Sequence, residues 1–144
     1  MNGAARWNGL RLYQWAVGLC DSMTGLMLVL APEWTLRLMR IRTLPDSPEM
    51  VSFVGVFVLA VGVAYLTVTR VPQSEADAAQ WRAVWRVTAI SRLLVAGYVG
   101  WQVVQGVLEP AWASVVATDL LFATIQFTGL GRGWLAPLRP EVTA

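Results

Sequence analysis

Three charged residues stand near the middle of apolar stretches long enough to cross a bilayer: Asp21, Arg92 and Asp119, each in a different stretch. A lone charge at that depth costs at least about 2.5–3.5 kcal/mol, so the cheapest arrangement turns all three inward and pairs them. Arg92 is therefore expected to bridge toward Asp21, Asp119 or both. One guanidinium cannot neutralise two carboxylates. Unless water or a cation enters, one acid is expected to keep a proton shared between the crowded groups. The sequence leaves two readings of such a centre open. It is a buried ion-pair network that fixes helix register, or it is a site for a polar headgroup, a quinone or a proton.

Two glutamines extend the pattern. Gln14 precedes Asp21 by seven residues and Gln126 follows Asp119 by seven, so each shares a helix face with an acid two turns away. In helices of opposite direction both glutamines fall on the same side of the acids. With Thr24, Thr88 and Thr118 they are expected to line a polar cleft open toward the cytoplasmic leaflet. The chain has no histidine and one cysteine, Cys20. Bis-His haem ligation, His or Cys zinc sites, an imidazole base and an internal disulfide are thereby excluded, and no metal site is expected. Any acid–base chemistry falls to an aspartate. Cys20 reads as a small buried hydrophobe, with no cation beside it to stabilise a thiolate.

The elements that must position these residues are membrane helices. With 56% hydrophobic residues, 14% charged residues and a mean hydropathy of +0.54, the 144-residue chain lies outside the range of soluble domains. Four stretches, near 10–31, 50–69, 83–106 and 111–130, each approach the ~20 residues a hydrocarbon core needs. Pro45–Pro48, Pro72–Ala79 and Glu109–Pro110 supply the polar connections. The expected fold is all-α: a single-domain integral membrane four-helix bundle, antiparallel, with both termini cytoplasmic. In that frame Arg92 lies slightly to the cytoplasmic side of its midpoint and Asp119 slightly to the outer side. At about 1.5 Å of rise per residue these offsets are about 4–5 Å, within reach of an arginine side chain. Gly18 and Gly25 flank Asp21, and Gly55 and Gly62 stand one heptad apart on the second helix. That helix reads as packing scaffold, with Ser52, Tyr65 and Thr67 satisfied locally.

Orientation follows from the arginines, eleven of them with no lysine. Arg6, Arg11, Arg70, Arg82, Arg86, Arg132 and Arg139 share the face of the termini, against Arg37, Arg40 and Arg42 opposite. They sit at the ends of apolar runs rather than in a basic stripe, so nucleic acid is excluded as a partner. The eight tryptophans also lie near predicted span ends and are expected to anchor at the interface. Between the first two crossings, residues 33–42 alternate apolar with basic. They read either as a short helix on the outer surface, with Trp34, Leu38 and Ile41 on one face, or as an extension of the first crossing bent at Pro32. The first apolar run continues too far for a signal peptide, and no small-residue cleavage site follows it.

The stretch Gly25–Glu33, with its closing Pro-Glu, the glycine-spaced Gly55–Leu66 and the Ser91-Arg92-Leu93 segment resemble the DoxX-like superfamily of small four-helix bacterial membrane proteins. The resemblance covers the first three helices. It implies a bacterial cytoplasmic membrane protein associated with quinone-coupled or other membrane redox complexes. It carries over no catalytic residue, and Asp119 and Gln126 lie outside it.

Three functions compete. The first is a binding or accessory subunit that docks on a membrane partner through the glycine face of the second helix or the tryptophan-rich ends. The second is a quinone- or lipid-binding membrane enzyme, with Asp21, Arg92, Asp119, Gln14 and Gln126 around the ligand and an aspartate as acid and base. The third is a proton or small-solute carrier, which at this size requires a homo-oligomer. No motif names a reaction, so the sequence leaves enzymatic activity undecided.

Overall fold

The computed structural model describes residues 3–43 and 47–137, with five α-helices and no strand among them. The helices are α1 (Gly3–Leu30), α2 (Pro32–Leu38), α3 (Pro48–Thr67), α4 (Glu75–Val104) and α5 (Ala113–Gly131), the last led by a 3-10 turn at Pro110–Trp112. Pro45 and Asp46 of the first connection, and Arg139, lie outside the described residues.

Three helices are long and apolar enough to cross a membrane: α3, α4, and α5 with its leading turn. α1 is not among them, although at 28 residues it has the length. Gln14, Asp21, Ser22 and Thr24 dilute its apolarity, and none of these four is exposed. Its outward face carries Leu19, Met23 and Leu26, all exposed. Exposed Phe53 and Phe57 on α3, Leu94 and Tyr98 on α4, and Leu121 and Phe127 on α5 continue that surface. Large apolar side chains on every outward face call for an apolar solvent, and helices satisfy their own backbone within one. This is a membrane protein.

Several boundaries differ from the sequence expectation for local reasons. α1 begins well before Leu10, because Trp7 is buried against Trp81 of α4, their rings edge-to-face at 5.3 Å. α4 begins at Glu75, inside the expected polar loop. Ser74 and Asp77 form a reciprocal capping box there: the Ser74 hydroxyl accepts from the Asp77 N–H, and the Asp77 carboxylate accepts from the Ser74 N–H, both at 3.1 Å. α2 is a helix in its own right. The chain leaves helical geometry at Ala31 and restarts with Pro32 in the first turn. Its buried residues are Thr35 and Leu36, with Ile41 just beyond, while Trp34 and Leu38 are exposed. The expected common face of Trp34, Leu38 and Ile41 is therefore split between solvent side and core.

The helices associate as two tight pairs, α1 with α3 and α4 with α5. Glycine permits the first pairing. A β-carbon on Gly25 would stand 2.8 Å from the Gly55 carbonyl oxygen, and one on Gly62 would stand 2.8 Å from that of Gly18. The glycine face of α3 is thus covered by α1 and is not free for a partner, contrary to the docking surface expected from sequence. Between the pairs, no backbone approach of α1 to α4 or α5 is close, and long side chains fill the seam. At the end bearing the termini, Trp7, Leu10, Val68, Trp81, Trp85 and Leu135 form a buried cluster. Trp7, Trp81 and Trp85 are therefore core residues rather than interfacial anchors, whereas Trp15, Trp34 and Trp101 remain exposed. Cys20 is also exposed, not buried as expected, because it shares the outward face of α1 with Leu19 and Met23.

Candidate functional site

The seam between the helix pairs carries two polar layers. In the first, Arg92 of α4 donates from Nη1 to Asp119 Oδ1 of α5 at 2.5 Å and from Nη2 to Asp21 Oδ2 of α1. Its Nε donates over a longer 3.4 Å to the Tyr65 hydroxyl of α3. The guanidinium carbon lies 4.9 Å from the Phe122 ring centre and 5.8 Å from that of Tyr65, so cation–π contact accompanies the ion pairs. One side chain therefore touches all three other long helices. Arg92 is buried, while the Asp21 and Asp119 side chains keep 14% and 13% exposure.

The second layer lies two turns toward the termini, about 10 Å away at the α-helical rise. Gln14 Oε1 accepts from Trp85 Nε1 at 2.8 Å, and Gln14 Nε2 donates to the Tyr65 carbonyl at 2.9 Å. Tyr65 falls in the last turn of α3, where helix carbonyls lose their i+4 partners, and its carbonyl shares itself between Gln14 and a 3.4 Å bond from the Val68 N–H. Gln126 Nε2 donates to Thr88 Oγ1 at 2.7 Å and to the Trp85 carbonyl at 3.3 Å. Its Oε1 is buried without a partner.

Asp21, Arg92 and Asp119 are thus brought together, and both glutamines lie buried in the same seam. The expected cytoplasmic cleft is absent at this point. Gln14 and Gln126 are fully buried beneath the tryptophan cluster. Thr88 joins the second layer, but Thr118 is exposed and donates to the Ser114 carbonyl of its own helix. Tyr65, Trp85 and Phe122 belong to the centre and were not anticipated. A tyrosine one turn beyond Gly62, where α1 and α3 touch, is the signal that marks Tyr65. The centre is unsuited to a cation: Arg92 stands between its two acids, and no group of three metal-ligating side chains exists among the described residues.

The two glutamines differ in what their loss would leave behind. Gln14→Leu orphans the buried Trp85 indole N–H, at about 1–3 kcal/mol, and leaves the Tyr65 carbonyl with only the longer 3.4 Å bond from the Val68 N–H. Gln126→Leu also removes an unpaired Oε1, so it should cost markedly less. Thermal unfolding in detergent should rank Gln14→Leu as the less stable variant; equal midpoints would contradict these hydrogen-bond assignments.

No family model, no curated protein and no solved structure matches this chain.

Proposed function

We propose that the chain is a non-catalytic binding or accessory subunit of a bacterial cytoplasmic membrane, built as an antiparallel bundle of four crossings with both termini cytoplasmic. The observation that carries this reading is the state of Arg92. All three of its nitrogens are engaged within the chain, and the layer beside it is sealed at the terminal end by Trp81, Trp85 and Trp7. A centre so occupied serves as a clamp between helix pairs, and the outward apolar faces are left to meet lipid or another membrane protein. α1 counts as a crossing because it carries Asp21 to the depth of Arg92 and turns only apolar side chains outward there. Arg11, Arg70, Arg82, Arg86 and Arg132 at the terminal end, against Arg37, Arg40 and Arg42, support the orientation. The resemblance to DoxX-like proteins supports a redox complex as the setting.

A second reading, a quinone- or lipid-binding membrane enzyme, draws on the residual exposure of the two acids and the unpartnered Gln126 Oε1. Mass spectrometry of the protein purified gently from its native membrane separates the two. A stoichiometric protein partner, still bound by the Asp119→Asn variant, is the expected result. A retained quinone that is lost on Asp119→Asn, with no protein partner, would replace the first reading by the second.

A further inference from the structure

Beyond the seam, one surface feature gathers charge in a manner that the clamp does not use. Arg37, Arg40 and Arg42 surround a shallow basin floored by the buried Ile41, at the end of the molecule opposite the tryptophan cluster. All three arginines are exposed. Their backbone is fixed rather than loose. The Ile41 N–H donates to the Leu36 carbonyl at 2.9 Å, which closes α2, and Glu109 Oε1 accepts from the N–H groups of Arg42 and Thr43. Arg40 pays for its place in this turn with a φ of +63°, the left-handed region that a glycine would occupy without strain. Among the described residues the basin keeps a net positive charge: Glu33 reaches Arg37 at 3.7 Å through two well-exposed side chains, and the Glu109 carboxylate, held on the Arg42 and Thr43 N–H groups, is the second acid set against three arginines.

We propose that Arg37, Arg40 and Arg42 clamp the phosphodiester of an anionic membrane lipid. Arginine forks match phosphate oxygens, and a backbone conformation unfavourable to arginine is explained when its guanidinium completes the clamp. Lipid is the source, rather than free phosphate, because the basin borders a greasy rim. Trp34 is 58% and Leu38 61% exposed on the same short helix, and the neighbouring end of α1 presents Leu30, 73% exposed. A headgroup seated on the arginines places its acyl chains along those residues, with Trp34 at headgroup depth.

The inference rests on the membrane reading, which has its own test: resistance of the protein to extraction by alkaline carbonate. Given that resistance, the protein is reconstituted in nanodiscs of phosphatidylcholine with a minor fraction of phosphatidylglycerol, released, and its retained lipids are counted by native mass spectrometry. Phosphatidylglycerol should be enriched over phosphatidylcholine. At about 1 kcal/mol per arginine near a lipid surface, Arg40→Gly should lower that enrichment about fivefold and the Arg37→Gln, Arg40→Gln, Arg42→Gln variant about a hundredfold. Arg40→Gly should at the same time raise the unfolding midpoint, because it relieves the left-handed backbone, so lost binding cannot be ascribed to lost folding. Unchanged enrichment in Arg40→Gly overturns the clamp. Displacement of the lipid by millimolar inorganic phosphate overturns the lipid as its ligand.

Discussion

Arg92→Leu will be the most destabilising single substitution in this protein, by about 3–5 kcal/mol, because it leaves two carboxylates facing one another in the seam with no countercharge. Arg92→Lys will recover little, since one ammonium cannot reach Asp21, Asp119 and the Tyr65 hydroxyl in the directions that a planar guanidinium spans. Asp21→Asn and Asp119→Asn will each be milder, for the centre holds one cation against two acids and either amide still accepts from the remaining N–H. The decisive comparison is the triple variant Asp21→Asn, Arg92→Met, Asp119→Asn. Neutralising the whole group should restore most of the stability that Arg92→Leu removes. Denaturant titration in mixed micelles measures the series, and an Arg92→Leu protein no weaker than Asp21→Asn would remove the clamp from the account.

Gly62→Ala is expected to cost about 1–3 kcal/mol, because its methyl meets the α1 backbone at Ser22 N and Gly18 O, besides the Ser22 hydroxyl, and the backbone cannot yield as a side-chain tip can. Gly25→Ala should behave alike, and bulkier residues at either position should prevent α1 from seating against α3. Gly97 supplies the control. A β-carbon there has nothing within 4 Å, so Gly97→Ala should be neutral or gain the ~0.5–1 kcal/mol that alanine holds over glycine inside a helix. The same denaturant titration reads all three variants. A Gly62→Ala protein as stable as Gly97→Ala would mean that α1 and α3 do not touch through their glycines.

The parts of this structure legible in the sequence are those where one residue type is expensive in its surroundings. Asp21, Arg92 and Asp119 could be paired on paper because charge inside apolar sequence has few cheap solutions. The glutamines could be assigned a helix face but not their partners. Trp85 was hidden as a partner because it stands near the start of an apolar run, where an indole reads as an interfacial anchor. The true start of α4, set by Ser74 and Asp77, lies in polar sequence that hydropathy assigns to a loop. With Glu75–Arg82 counted as helix, Trp81 and Trp85 fall within it and can pack inward. Tyr65 was illegible for another reason: its role depends on α1 approaching α3 closely enough to align α3 with the seam, a tertiary fact that Gly62 one turn before it signals but does not fix. The direction of the glycine face of α3 was likewise undetermined until α1 was seen lying on it.

The division into two tight helix pairs has a consequence for how the chain is made. Both pairs are hairpins of neighbouring segments, so the first is complete while the residue that will neutralise it is still being synthesised. Arg92 follows Asp21 by 71 residues. During that interval the nascent first hairpin carries an acid and the Gln14 amide on its flank with no protein surface to receive them. It is therefore expected to linger in the polar environment of the insertion machinery, or to enter lipid with Asp21 protonated, until the second hairpin arrives. Ribosome-bound chains truncated before Arg92 should be markedly easier to extract from membranes than full-length chains, and Asp21→Leu should abolish the difference.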